Sequence, residues 1–154
     1  MKIKNAILAL AVVSLVAIPA LGKGQGDLLA PTNLTVNTDS LPTVACDWDD
    51  VTGAVKYSVE LEALVTYEVE VEQGVFEDVV VEVTVEIGTP TDSSIEFDMG
   101  ELIEALELAV GLPMDEWESS EAVVKVKGLD PSLPETKRQN NPFATEDLLL
   151  VQPG

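Results

Sequence analysis

The segments that decide the fold are APTNLTV (residues 30–36), TVACDWD (43–49) and GAVKYSVEL (53–61). Alternate residues of the second and third segments are apolar: Val44, Cys46, Trp48, Tyr57, Val59 and Leu61. Period-two alternation of this kind is typical of strands that bury one face. We therefore predict three successive strands, with Trp48 and Tyr57 in the core and Cys46 as a buried, inert thiol beside the Trp.

The order and spacing of these segments resemble the opening half of a fibronectin type III domain. The resemblance consists of a leading Pro-x-x-Leu-x-Val strand (31–36), a Trp on the next strand (Trp48) and a Tyr at the start of the third (Tyr57). It implies an all-β, fibronectin type III or immunoglobulin-like β-sandwich over residues 30–152. The resemblance covers residues 28–62 well and 121–152 loosely, since Ala122 stands about where the family places a corner Tyr.

A long hairpin is predicted after the third segment begins. Odd positions from Val55 to Val71 are apolar, Gln73-Gly74 supplies a turn, and the alternation resumes from Val79 to Ile87. A single strand over 55–71 would exceed the usual length, so a bulge near Ala63-Leu64 is an alternative that divides it. The hairpin departs from the family pattern, and it places five glutamates on one face: Glu68, Glu70, Glu72, Glu82 and Glu86.

One helix is predicted where the period changes after residue 98. Asp98 is a good N-cap, apolar residues follow at helical spacing, and Gly111 with Pro113 marks the end. Fibronectin type III domains typically have a tight turn here, so the resemblance implies that residues 99–118 are an insertion. We expect it to cover an open edge or face of the sandwich, such as the apolar side of the hairpin. A partner-docking helix is the alternative. Strands at residues 121–127 and 143–151 complete the sheet, with Lys125 and Lys127 opposite sheet glutamates.

The first 22 residues have the pattern of a secretory signal peptide. Lys2 and Lys4 precede an apolar run from Ala6 to Ile18, and small residues follow at 19–22. Residues 23–29 are predicted as a flexible linker. We expect a secreted, periplasmic or extracellular protein, without a stable membrane span after signal cleavage.

Composition restricts the function classes. The chain has 154 residues, which fits one domain, and its formal net charge of -20 opposes contact with nucleic acid or anionic membranes. The sequence contains no His and one Cys, so the usual parts of nucleophilic and zinc chemistry are missing. We predict a protein that is not an enzyme and needs no cofactor.

The acidic residues suggest one metal ligand, which is calcium. A solvated sheet surface that discourages aggregation is the simpler interpretation of the glutamate face. Calcium takes 6–8 oxygens, usually from a loop that encloses it, and a flat glutamate ladder lacks that enclosure. The weak candidates for a metal site are Asp47, Asp49, Asp50, Glu68, Glu70 and Glu82.

The predicted function is that of a non-catalytic secreted module for binding or assembly. It would act through another secreted or cell-surface protein or through self-association, because a chain with one such domain must act through another molecule. The alternative is a secreted calcium- or carbohydrate-binding protein that uses the acidic face or exposed aromatics. Trp117 and Tyr67 are the candidate contact residues, with a core position as the other interpretation of Trp117.

Overall fold

A computed structural model describes residues 28–132 and 141–152 of the chain. The predicted signal peptide and most of the predicted linker lie outside these residues, as does much of the loop before the last strand. Over the described residues, no helix is long and apolar enough to cross a lipid bilayer.

The described residues form seven strands and one α-helix, followed by a 3-10 turn at Met114–Glu116. The strands are β1 (Thr35–Ser40), β2 (Thr43–Asp47), β3 (Lys56–Glu72), β4 (Val75–Gly88), β5 (Ser94–Asp98), β6 (Ser119–Leu129) and β7 (Ala144–Leu148), and the helix is α1 (Met99–Val110). The penultimate strand is thus longer than predicted at both ends, and the last is shorter.

The strands form two antiparallel sheets, which confirms the predicted all-β sandwich of the fibronectin type III or immunoglobulin-like class. One sheet has three strands in the order β1-β2-β5, and the other has four in the order β4-β3-β6-β7. The chain crosses between the sheets after β2, after β4 and again after α1. Neighbours that are distant in sequence, such as β3 and β6, therefore pair in the middle of the second sheet.

The core lies between the two sheets. The odd positions of β3 from Tyr57 to Tyr67 are all buried, as the alternation predicts. Trp48 packs edge to face on Tyr57, with ring centroids 5.3 Å apart, and the Tyr57 hydroxyl accepts a 2.9 Å hydrogen bond from the Val51 backbone N–H. The Cys46 thiol is fully buried, and this burial together with the nearby Asp47 charge raises its pKa to about 12.

The hairpin is one continuous ribbon. β3 has 17 residues and β4 has 14, and their register runs without interruption from Glu60 to Glu70. The alternative of a bulge near Ala63-Leu64 is therefore wrong. The register shifts instead at Val59/Glu60 and at Glu70/Glu72, where the pairing begins and ends. β6 pairs with β3 only as far as Thr66, so the outer part of the hairpin is two-stranded.

Helix α1 begins and ends where the sequence predicts. The Asp98 carboxylate accepts a 3.0 Å hydrogen bond from the Glu101 N–H, and Gly111 closes the helix in the left-handed conformation at φ 89°. The helix buries Met99, Leu102, Ile103 and Leu106 against β4 and β5. These are edge strands of different sheets, so α1 closes that side of the sandwich and covers the apolar side of the hairpin.

The domain begins earlier than the predicted linker boundary. Leu28 is buried, and its backbone N–H donates a 3.3 Å hydrogen bond to the Asn141 side chain, whose amide donates in turn to the Gly128 carbonyl at 3.0 Å. The assignment of residues 28 and 29 to a flexible linker is therefore wrong for Leu28, because its side chain is part of the core.

Candidate interaction surface on the long hairpin

The surface with the most distinctive chemistry is the outer face of the second sheet. Alternation along β3 and β4 turns the even-numbered residues away from the core, and half of them are acidic. We call the even-numbered residues of both strands the hairpin outer face. Its carboxylates include the five predicted glutamates, together with others on the same parity: Glu60, Glu62, Glu68, Glu70, Glu72, Asp78, Glu82 and Glu86.

Within the described residues, the ion pair that compensates charge on this face lies toward β6. Lys125 stands directly opposite Glu60, and its Nζ lies 3.6 Å from a carboxylate oxygen of Glu62. Lys125 and Lys127 also lie over the Phe143 ring, at 4.5 and 4.8 Å from its centroid. Partial burial lowers the pKa of Lys127. The predicted arrangement of lysines opposite sheet glutamates is present here as one ion pair.

Toward β4, carboxylates face each other. Glu60 is the cross-strand partner of Glu86, and Glu68 is the partner of Asp78. A hydrogen bond with Glu62 raises the pKa of Glu82, and partial burial and repulsion by Glu62 act in the same direction. Such pairs of like charge destabilise the hairpin at neutral pH.

Three carboxylates converge at the point where β6 begins. Oxygen atoms of Glu68, Asp78 and Glu118 lie within 4.8 Å of one another. Glu118 is held there because its backbone N–H donates to the Thr66 carbonyl at 2.7 Å. Loss of hydration, a hydrogen bond with Asp78 and repulsion by Asp78 and Glu68 raise the pKa of Glu118.

This triad includes only one of the predicted metal candidates on the hairpin. Glu70 instead accepts a 2.8 Å hydrogen bond from the Gly74 N–H and so fixes the hairpin turn, whereas Glu82 shares a hydrogen bond with Glu62. All three triad side chains are exposed on an open sheet surface. Sequence reasoning missed Glu118 because it is distant in sequence and reaches the hairpin only through the path of the chain after α1.

The aspartate candidates hold loops together. The Asp49 carboxylate accepts hydrogen bonds from Thr32 Oγ1 at 3.0 Å and from Asn33 Nδ2 at 2.7 Å, and Asp50 accepts one from the Ser93 hydroxyl. Asp47 ends β2 and is exposed. Within residues 28–132 and 141–152, these three carboxylates do not come together as a group of ligands.

The two predicted contact aromatics are not free surface rings. Tyr67 is 4% exposed, so the expectation that it offers a stacking surface is wrong, and burial raises its pKa. Trp117 is half-buried against the core, and its indole N–H donates to the Leu112 carbonyl at 3.1 Å. Its position therefore agrees with the core interpretation that the sequence left open.

Apolar side chains on the hairpin itself are more accessible. On the outer face, Phe76 is 55% exposed, Val80 52% and Leu64 41%, and Val75 beside the turn is 47% exposed. The alternation already contained this signal, because Leu64, Phe76 and Val80 interrupt the series of polar residues at even positions. The surface is therefore amphipathic and not uniformly charged.

The free edge of β4 completes this surface. β4 ends the order of the second sheet, and in the described part of the chain its backbone pairs with β3 alone. Alternate N–H and C=O groups of an edge strand point away from the sheet and are free to pair with another strand. Helix α1 packs on the core side of β4, where the odd-numbered residues lie. The backbone groups of this edge therefore lie next to the exposed apolar side chains and the carboxylates of the outer face.

A concavity lies at the end of α1, away from the hairpin outer face. It is a shallow depression of about 600 Å³. Its lining residues are Glu104, Glu107, Leu108, Gly111, Leu112 and Pro113. Leu108 is 85% exposed at its rim, but the Glu107 carboxylate is already engaged by the Met114 N–H at 2.8 Å.

No protein-family model matches the chain, and no curated protein matches it. Among solved structures, the chain is similar to the fibronectin type III domain of the human collagen alpha-1(XX) chain. The identity is 19%, the match covers 84% of this chain and 90% of that chain, and the TM-score is 0.38. The fold assignment rests on the sheet order and the core described above.

Proposed function

We propose that the protein is a non-catalytic module that binds other proteins through the free edge and the outer face of its long hairpin. The observation that carries this proposal is the exposure of Phe76 and Val80 on β4, a strand of 14 residues whose second edge has no backbone partner in the described part of the chain. Addition of a partner strand would satisfy the free backbone groups of β4 and cover these side chains.

The length of the hairpin supports a role in binding. A strand contributes to the core only where other elements cover it. The pairing of β6 with β3 stops at Thr66, whereas β3 continues beyond this point. Beyond that point the first four residues of β4, Val75 to Asp78, are exposed on both faces. A two-stranded ribbon has little stability of its own in water, so an extension of this length favours contact with a partner.

The non-catalytic part of the proposal rests on the side chains available for chemistry. The sequence contains no His, and the Cys46 thiol is fully buried with a pKa of about 12. A reactive Cys needs exposure and a lowered pKa. The signal-like pattern of residues 1–22 supports a secreted or cell-surface protein as the proposed partner.

Cation and carbohydrate binding have less support. The triad of Glu68, Asp78 and Glu118 supplies three exposed carboxylates but no enclosing loop with backbone carbonyls. For a sugar site, the predicted aromatics Tyr67 and Trp117 do not supply an exposed stacking surface, and the exposed Phe76 lies on an edge strand whose free backbone groups favour strand addition.

The test is an unbiased selection of twelve-residue peptides from a display library with the purified protein as bait. We expect the enriched peptides to slow hydrogen exchange at the β4 amides that point away from β3, because strand addition protects those groups. Enrichment of peptides that protect only other regions, or failure to enrich any peptide, would contradict the proposal.

A further inference from the structure

We propose that the segment that pairs with β4 is an extended stretch of another protein with a lysine or arginine at every fourth residue, opposite the acidic side chains, and with apolar residues opposite Val80 and Phe76. This inference rests on the proposed function, since it specifies the chemistry of the partner for the same edge. Its basis is the order of side chains along the outer face of β4.

The spacing follows from the pairing geometry. Side chains on one face of a sheet recur every second residue, and residues of an added strand would stand opposite those of β4. The outer face of β4 carries acidic Asp78, Glu82 and Glu86, which are four residues apart, and apolar Phe76 and Val80 between or beside them. A complementary strand that runs antiparallel to β4 therefore carries the matching basic and apolar positions in the reverse order, with a polar residue opposite Thr84.

Among the described residues, few basic side chains lie near the acidic residues of β3 and β4. β3 and β4 contain five and four acidic residues respectively, whereas Lys56 at the start of β3 is their only basic residue. Lys125 lies on the far side of β3 and pairs with Glu62. Basic side chains from a partner would thus meet carboxylates of β4 that form no ion pair within residues 28–132 and 141–152.

The same charge disfavours a second copy of this chain as the occupant. Pairing two β4 strands edge to edge would bring Asp78, Glu82 and Glu86 of one molecule beside the same acidic set of the other. Like charges at cross-strand distances are destabilising, and charged residues on edge strands are a known means of preventing such association. A basic partner removes the repulsion that a second copy would increase.

The experiment compares designed peptides for binding to the purified protein. The probe is a twelve-residue threonine-rich peptide with lysines at positions 2, 6 and 10 and valines at positions 8 and 12. Matched peptides replace the lysines by threonine or by glutamate, and another keeps the lysines but places prolines between them. Affinity is measured by fluorescence anisotropy, and hydrogen exchange locates the contact.

We expect the lysine peptide to bind at least about tenfold more tightly than the threonine peptide and to protect the outward amides of β4. Higher salt should reduce this difference, because exposed charges are screened. The proline peptide should bind at least about tenfold more weakly than the lysine peptide, since proline cannot donate to the ladder.

A pair of double variants separates local charge from net charge. Glu82→Lys with Glu86→Lys should lose the preference for the lysine peptide and gain affinity for the glutamate peptide. Glu96→Lys with Glu146→Lys makes the same change of net charge on β5 and β7, away from the site, and should retain the preference. Circular dichroism confirms that each variant is folded.

The outcomes distinguish the two proposals. If the threonine peptide protects β4 as well as the lysine peptide does, strand addition stands and the basic partner is wrong. If no peptide protects the β4 edge, the proposed function also fails. Equal binding of the lysine and proline peptides would show contact by charge alone and would overturn the inference.

Discussion

Glu68 on β3 and Asp78 on β4 are direct cross-strand partners, so two carboxylates face each other on the hairpin outer face. Glu118 lies within reach of both, which increases the repulsion. We therefore expect Asp78→Asn to raise the free energy of unfolding by roughly 0.2–1 kcal/mol at low ionic strength, the range for cross-strand pairs.

The gain should shrink at high salt, and urea denaturation at two ionic strengths would measure it. Asp39→Asn is the matched control, because Asp39 is an exposed aspartate on β1, in the other sheet. An equal gain from both variants would indicate a general effect of net charge and would contradict the local explanation.

Stability should rise as the pH falls from neutral toward the ordinary carboxyl range. The folded-state pKa values of Glu82 and Glu118 are raised, so the folded protein binds protons more readily than the unfolded chain. Their contribution is complete below the unfolded pKa and is lost as the pH rises through the folded values.

Asp130 acts in the opposite direction, because hydrogen bonds from Ser132 lower its pKa. Its stabilising contribution is lost only below its ordinary pKa of 3.8, outside the pH range of this prediction. Thermal denaturation from pH 7 to about 5 tests the prediction. Glu82→Gln should reduce the gain in stability between these two pH values by less than about 1 kcal/mol. A profile that falls steadily over this range would contradict it.

The Tyr57 hydroxyl should contribute to stability by accepting the Val51 N–H. Tyr57→Phe leaves that buried donor without a partner, which costs about 1–3 kcal/mol. The same change at Tyr67, whose ring is equally buried, removes a hydroxyl without that role and should cost less. Urea denaturation of the two variants compares them directly, and equal losses would rule out the hydrogen bond as the cause.

The N-cap of α1 should be measurable through one side chain. Asp98→Ala removes the acceptor for the Glu101 N–H and should lower the free energy of unfolding by about 1 kcal/mol. Asp98→Ser keeps a capping oxygen and should recover most of the loss. Failure of Ser to rescue would mean that Asp98 acts through its charge or its place at the end of β5.

The purified protein should be a single chain in solution, both with a chelator and with calcium at matched ionic strength. Charge repulsion between β4 edges opposes self-association, and the carboxylate triad lacks the enclosure of a calcium site. Size-exclusion chromatography with light scattering measures the mass. A stable oligomer in both conditions would favour assembly over binding of a separate partner, and a calcium-dependent one would assign a metal role to the triad.

Local features of the structure were predictable from the sequence. The alternation along β3 depends only on which residues are apolar, and α1 is bounded by Asp98 and Gly111, whose capping roles are set by their own chemistry. The glutamate face follows from the same parity. These features involve residues close together in the chain, so one sequence is enough to identify them.

Features that depend on distant contacts were not predictable in the same way. Tyr67 is buried although it lies beyond Thr66, where the pairing of β3 with β6 stops. The chain between α1 and β6 returns to this point and packs Met114 and Trp117 on the core. The register shifts of β3 occur where its partner strand ends, which the sequence of β3 alone cannot indicate. The third member of the carboxylate triad has the same origin.

The lone thiol of Cys46 has a practical consequence for work on this protein. It is completely buried near the end of β2, two residues before Trp48. With a pKa of about 12 it is almost entirely protonated in ordinary buffers. A thiol reagent can modify it only when the sandwich opens. The rate at which the reagent labels Cys46 therefore measures how readily the core opens, and no cysteine has to be introduced by mutation.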